Sequence, residues 1–140
     1  MNLEEFIKMR KEYEQLIHAE AKKLFEKMFT EFFYNNPEFT KVSWAQYTPF
    51  FNDGDACVFR INTFAFCPKG KEEEFDEEPY EFDLYSFKEN TRKKLQAFEE
   101  NVHKIGENFF LNNFGDHSRV TVSYDGNFDL IITADSYDHE

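Results

Sequence analysis

Between Glu72 and Asp83 the chain places eight carboxylates, Glu72, Glu73, Glu74, Asp76, Glu77, Glu78, Glu81 and Asp83, without a single base. They account for most of a formal net charge of −12. Phe75, Tyr80, Phe82, Leu84 and Tyr85 are interleaved with them. Carboxylates spaced along a surface can stand in for phosphates, and aromatics among them supply apolar anchors. The chemistry open to this segment is therefore docking onto a Lys/Arg-rich groove, with Glu72–Glu78, Tyr80, Phe82 and Asp83 as the partner-binding set. The plainer alternative is a charged solubilising insertion, although a solvated linker would carry fewer aromatics.

Other constellations are weaker. Asn52, Asp53 and Asp55 crowd oxygen ligands into one turn, but the alternating acids, central glycine and terminal glutamate of a calcium loop are absent. The four histidines are scattered and Cys57–Cys67 lacks zinc-site spacing, so no metal or cofactor is expected. No G-x-S-x-G, H-E-x-x-H or phosphate loop occurs, and the chain does not read as an enzyme. Nucleic-acid binding has one local argument, Arg92-Lys93-Lys94, but Glu89, Glu99 and Glu100 flank it, which suits a solvated helix face with i,i+4 pairing. A field as negative as this repels phosphate backbones, so direct nucleic-acid binding is not expected and a basic protein partner is. Two cysteines, a charged N-terminus and no long apolar run point to a cytoplasmic chain with reduced thiols and no membrane span.

These residues need a scaffold, and one domain over residues 1–140 can supply it, with nineteen phenylalanines as core material. Apolar residues from Leu3 to Phe33 recur at helical steps, and Asn35-Asn36-Pro37 ends that helix. A break near His18–Ala21 would divide it in two. Lys41–Phe66 then reads as a hairpin around Asn52-Asp53-Gly54-Asp55, since Asp-Gly between aromatic and β-branched runs favours such turns. Trp44, Gln46, Tyr47, Asn52, Asp53 and Asp55 form a possible second surface there. Residues 68–85 are expected as an acidic, aromatic-bearing loop. Ser86 and Glu89 read as a capping box opening a second long helix, through Leu95, Phe98, Val102, Ile105 and Phe109 to Asn113. A second hairpin around Asp125-Gly126 closes the chain, with Val120, Val122 and Tyr124 set against Phe128, Leu130 and Ile132.

The expected fold class is α+β in αββαββ order: two hairpins in one four-stranded antiparallel sheet, with two long helices on one face. Glu31–Asn36 and Asn108–Asn113 share a Phe-Phe-x-Asn-Asn pattern, and Asp53-Gly54 echoes Asp125-Gly126. An internal duplication would produce this, as would chance in a Phe- and Asn-rich chain.

The stretch Trp44-x-Gln46-Tyr47-Thr48-Pro49-Phe50-Phe51-Asn52-Asp53-Gly54-Asp55-x-Cys57-x-Phe59 resembles a family of small proteins encoded by bacteriophages. The resemblance implies a phage setting and carries no catalytic residue. With it, the expected role is a non-catalytic phage protein that inhibits or modulates a basic host factor, in the manner of anti-CRISPR or anti-restriction proteins that mimic nucleic acid. Two other classes stay open. One is a nucleotide-sequestering protein, with Trp44, Tyr47 and Phe64 stacking on a base, provided Lys41, Arg60 and Arg119 converge. The other is a structural phage protein forming a homodimer or larger homo-oligomer through an apolar sheet face.

Overall fold

A computed structural model describes residues 1–50, 54, 57–126 and 129–138. The fold is α+β. Among the described residues, α1 spans Leu3–Asn35 and strand β1 follows at Phe39–Tyr47. Next come β2 (Arg60–Ile61), β3 (Ala65–Pro68) and the short helix α2 (Glu72–Glu77). Two 3-10 turns, Pro79–Phe82 and Leu84–Ser86, lead into α3 (Glu89–His103) and α4 (Glu107–Phe114). Strands β4 (Ser118–Tyr124) and β5 (Leu130–Ser136) complete an antiparallel five-stranded sheet. Its order is β2-β1-β4-β5, with β3 beside β2 along the same edge of β1.

Helix α1 is one continuous rod of about 50 Å at 1.5 Å per residue, with no break at His18–Ala21. Asn2 caps its start by accepting from the Glu5 N–H at 2.9 Å. Only its last turns are buried, through Phe25, Phe29, Phe32 and Phe33.

The strand count exceeds four because the return strand is interrupted between Ile61 and Ala65. Ile61 pairs with Gln46, whereas Ala65 pairs with Ser43 and Phe66 with Val42, a slip of one residue. Because side chains alternate along a strand, that slip exchanges the faces of everything beyond it. Phe64 and Phe66 turn into the core, while the small Ala65 and Cys67 turn outward. Unbroken alternation would put Phe64 and Phe66 on the face opposite Ile61; the slip puts all three on one side. The N–H of Phe64 bonds to the carboxylate of Glu99 on α3.

The second long helix is also divided. Gly106 takes φ 109°, a conformation costly for any residue with a Cβ, and the chain turns there from α3 into α4. Ser86 does not cap α3. It sits in the preceding 3-10 turn and donates to the Asp83 carbonyl at 2.7 Å, and Lys88 occupies the cap position without a side-chain bond. Leu95, Val102 and Phe109 of the expected seam are buried.

The main core fills one face of the sheet beneath α1, α3 and α4. Trp44 stacks on Phe64 at 4.6 Å and on Phe29 at 6.0 Å, and Val42, Phe66, Val120 and Val122 line the floor. In the second hairpin, Val122 pairs with Ile132 and Tyr124 with Leu130, as the alternation predicts; Phe128 lies outside the described residues.

Candidate interaction surface

The acidic segment is held against the opposite face of the sheet. Ala65 and Cys67 leave shallow ground there, and Phe75 fills it at 1% exposure with Phe82 packed alongside, ring centres 5.7 Å apart. Phe75 is therefore an internal anchor, and its place in the partner-binding set is corrected: burying its ring tethers the segment to the fold. Phe82 is half-buried for the same reason. Tyr80 alone of the three expected anchors is open, at 66% exposure.

With Phe75 turned inward, the acids face out. Glu73, Glu74, Asp76, Glu77, Glu78 and Glu81 are exposed. Asp76 pairs with Lys41 at 3.0 Å, and Glu78 and Glu81 share a hydrogen bond that lifts the Glu78 carboxyl above its ordinary range. The other two acids serve the local fold. Glu72 accepts from its own N–H, from the Gly70 N–H at 3.2 Å and from the Thr40 hydroxyl at 3.0 Å, and these bonds, its own N–H foremost, hold its carboxyl below the ordinary range. Asp83 accepts from the Tyr85 N–H at 3.0 Å and forms a backbone bridge to Ala65. Residues 68–85 are thus largely α2 and two 3-10 turns, where a loop was expected.

The second expected surface is mostly interior. Trp44 and Gln46 are buried to 1% and 0% exposure. Trp44 Nε1 donates to Gln46 Oε1 at 3.0 Å, and Gln46 Nε2 donates to the carbonyls of Phe110 and Gly115 at 2.9 and 2.7 Å. The pair ties β1 to the end of α4 and presents nothing to a partner. Tyr47 is half-buried beside Tyr137, while Asn52, Asp53 and Asp55 lie outside the described residues.

Nor do the cations gather. Lys41 is engaged by Asp76, while Arg119 donates to Ser43 Oγ at 3.2 Å and lies 5.2 Å over the Tyr137 ring. Arg60 sits on the far side of β1, opposite Tyr47. A polar cleft of about 320 Å³ includes Ser43, Asn62, Thr63, Tyr80 and Arg119. The uncovered sheet face carries Ser43, Thr121, Ser123 and Thr133 with Arg119 and Asp135, beside Ala45 and the exposed Ile131, a mixed surface where a broadly apolar or aromatic one is expected. In the basic triplet, Lys93 pairs with Glu89 at 3.4 Å and Lys94 with Glu38 at 3.0 Å.

Two features escaped the sequence reading. Glu99 and His103, one turn apart on α3, point under the interrupted strand. Burial raises the Glu99 carboxyl above its ordinary range, with the Phe64 N–H opposing. Burial lowers His103, whose Nε2 has no hydrogen-bond partner among the described residues and whose ring packs on Phe64 at 5.0 Å. The other feature is α1 before Ala21: none of its side chains is buried, and Leu3, Phe6, Met9, Tyr13, Leu16 and Ile17 stand exposed. Beside them a cleft of about 760 Å³ opens against α4, lined by Ile17, Ala21, Ile105 and Phe109.

Among the described residues, no group of three or more His, Cys, Asp or Glu could hold a metal ion, and no helix is long and apolar enough to cross a membrane. No family model, curated protein or solved structure matches this chain.

Proposed function

We propose that this chain is a non-catalytic, phage-encoded interaction protein that modulates a basic factor of the bacterial host cytoplasm through its negative surface. The observation that carries the reading is the fixed presentation of six exposed acids around α2 by a buried Phe75. A flexible acidic tail would spend ordering entropy on docking; carboxylates pre-set on a folded segment spend less. Tyr80, open among them, is the aromatic anchor of the surface. Such spaced negative charge suits a groove that ordinarily holds a phosphate backbone, as in a host defence nuclease.

The nucleotide-sequestering alternative loses support, because Trp44 and Phe64 stack on each other in the core. We also propose that the two halves descend from one duplicated unit. The exits of α1 and α4 repeat the same bond, Asn36 Nδ2 to the Phe32 carbonyl and Asn113 Nδ2 to the Phe109 carbonyl, each at 2.8 Å. The two hairpins meet through their first strands, β1 against β4, as a two-fold repeat would place them.

The test is capture from a bacterial lysate at low and high salt. The wild type is compared with a variant carrying Glu73, Glu74, Glu77 and Glu78 as glutamine. Basic proteins retained at low salt and lost both at high salt and in the variant support the proposal. Identical recovery by both proteins at both salts overturns it.

A further inference from the structure

We propose that the projecting half of α1 pairs antiparallel with α1 of a second copy of this chain. Leu3, Phe6, Arg10, Tyr13, Ile17, Glu20 and Leu24 follow one another at alternating steps of three and four, the spacing of a two-helix seam. All seven are exposed. Met9 and Leu16 widen this stripe on one flank, and Ile7 and Ala21 on the other. Folding the monomer uses only Ala21 of this stripe, because α1 meets the core chiefly through Phe25, Phe29, Phe32 and Phe33 farther along.

What covers the stripe is decided by charge. Over Leu3–Lys27 there are six acids and six bases, so this arm is neutral on a molecule of net charge −12. Two copies can approach through it without the net repulsion that the acidic surface around α2 would impose. The seam has two polar interruptions, Arg10 and Glu20. In a parallel pair each would face its own kind. In an antiparallel pair centred near residue 15, Arg10 of one copy faces Glu20 of the other, twice. The same register sets Phe6 against Leu24 and Tyr13 against Ile17, and brings Ile7 of the second copy to Ala21 at the wall of the α4 cleft. Within one copy Arg10 lies 3.8 Å from Glu14, and Glu20 lies 3.5 Å from Lys23, both on open surface where such pairs contribute little. An overlap of some 35–40 Å of paired helix gives each copy a long apolar contact. The proposal stands independently of the acidic surface around α2.

The experiment measures the mass of the full chain by sedimentation across a concentration series. The expected result is a concentration-dependent dimer. Arg10→Glu alone and Glu20→Arg alone each put like charges face to face and weaken it about tenfold or more. The double variant restores it, and an equimolar mixture of the two single variants forms a heterodimer tighter than either homodimer. Helical content and Trp44 emission serve as folding controls, since Arg10 and Glu20 lie away from the core. A wild type that stays monomeric at every concentration overturns the proposal. So do single variants that associate like the wild type, or a mixture no tighter than its components.

Discussion

Gln46 is the side chain whose loss is expected to cost most for its size. It is fully buried, accepts from Trp44 and donates to two carbonyls, so Gln46→Leu strands three polar groups at once. At about 1–3 kcal/mol for each buried group left unsatisfied, the variant is expected to be several kcal/mol less stable, with altered Trp44 emission, in urea titration. Glu99 behaves differently. Its folded pKa is raised above 4.5, so ionisation of the buried carboxyl costs stability at pH values above that. Glu99→Gln keeps an acceptor for Phe64 and is expected to be at least as stable as wild type at pH 7, whereas Glu99→Leu orphans the Phe64 N–H and loses about 1–3 kcal/mol. His103 is lowered from 6.5, so its contribution is intact above that value and fades as pH falls through it toward the folded pKa. His103→Phe removes this loss, and the melting temperature of the variant is expected to change less between pH 7.5 and pH 5 than that of the wild type. The thiols report on burial directly. Cys57 is exposed, while burial pushes Cys67 up to about 11, so the folded protein is expected to take one equivalent of alkylating reagent at neutral pH and a second only on unfolding. Neither Glu99 nor Gln46 announces its role in the sequence. Glu99 looks like one more acid on a charged helix, and Gln46 like one more polar strand residue, until a slipped strand and a helix end bring stranded groups to them.

At the scale of elements, strong periodicity was legible and local slips were not. The run of α1 and the Val-Val-Tyr alternation of β4 could be read because 3.6- and 2-residue periods persist over many residues. The return strand could not, because its one-residue slip depends on Glu99, 35 positions away, accepting a bond the ladder lost. The division between α3 and α4 turns on Gly106, whose left-handed conformation a seam of apolar residues conceals. The acidic segment looks like a loop in sequence because its charges outnumber its rings, yet Phe75 facing small Ala65 and Cys67 is what folds it down. Phe75→Ala empties that site. The expected outcome is local release of α2, seen as faster proteolysis within residues 71–83, with loss of partner capture although every carboxylate remains.

For the whole molecule, two surfaces of opposite character occupy different regions: a neutral apolar arm in α1 and a negative patch around α2. A charge of −12 on 140 residues repels itself, so thermal stability is expected to rise as salt is added from low ionic strength. Association through α1 follows hydrophobic burial and persists in salt, whereas docking through α2 weakens as the screening length shrinks from about 10 Å at 0.1 M to about 3 Å at 1 M. The α+β architecture and the place of the negative charge could be seen in the chain itself. Which aromatics remained outside could not, since that depends on packing between distant strands and helices.

The most direct measurement of the central claim is the salt dependence of affinity for a captured basic partner, compared between wild type and the protein with Glu73, Glu74, Glu77 and Glu78 as glutamine. A steep fall in wild-type affinity with salt, flattened and weakened in the variant, is the predicted result. Equal affinities with the same shallow slope would contradict an acidic docking surface at α2.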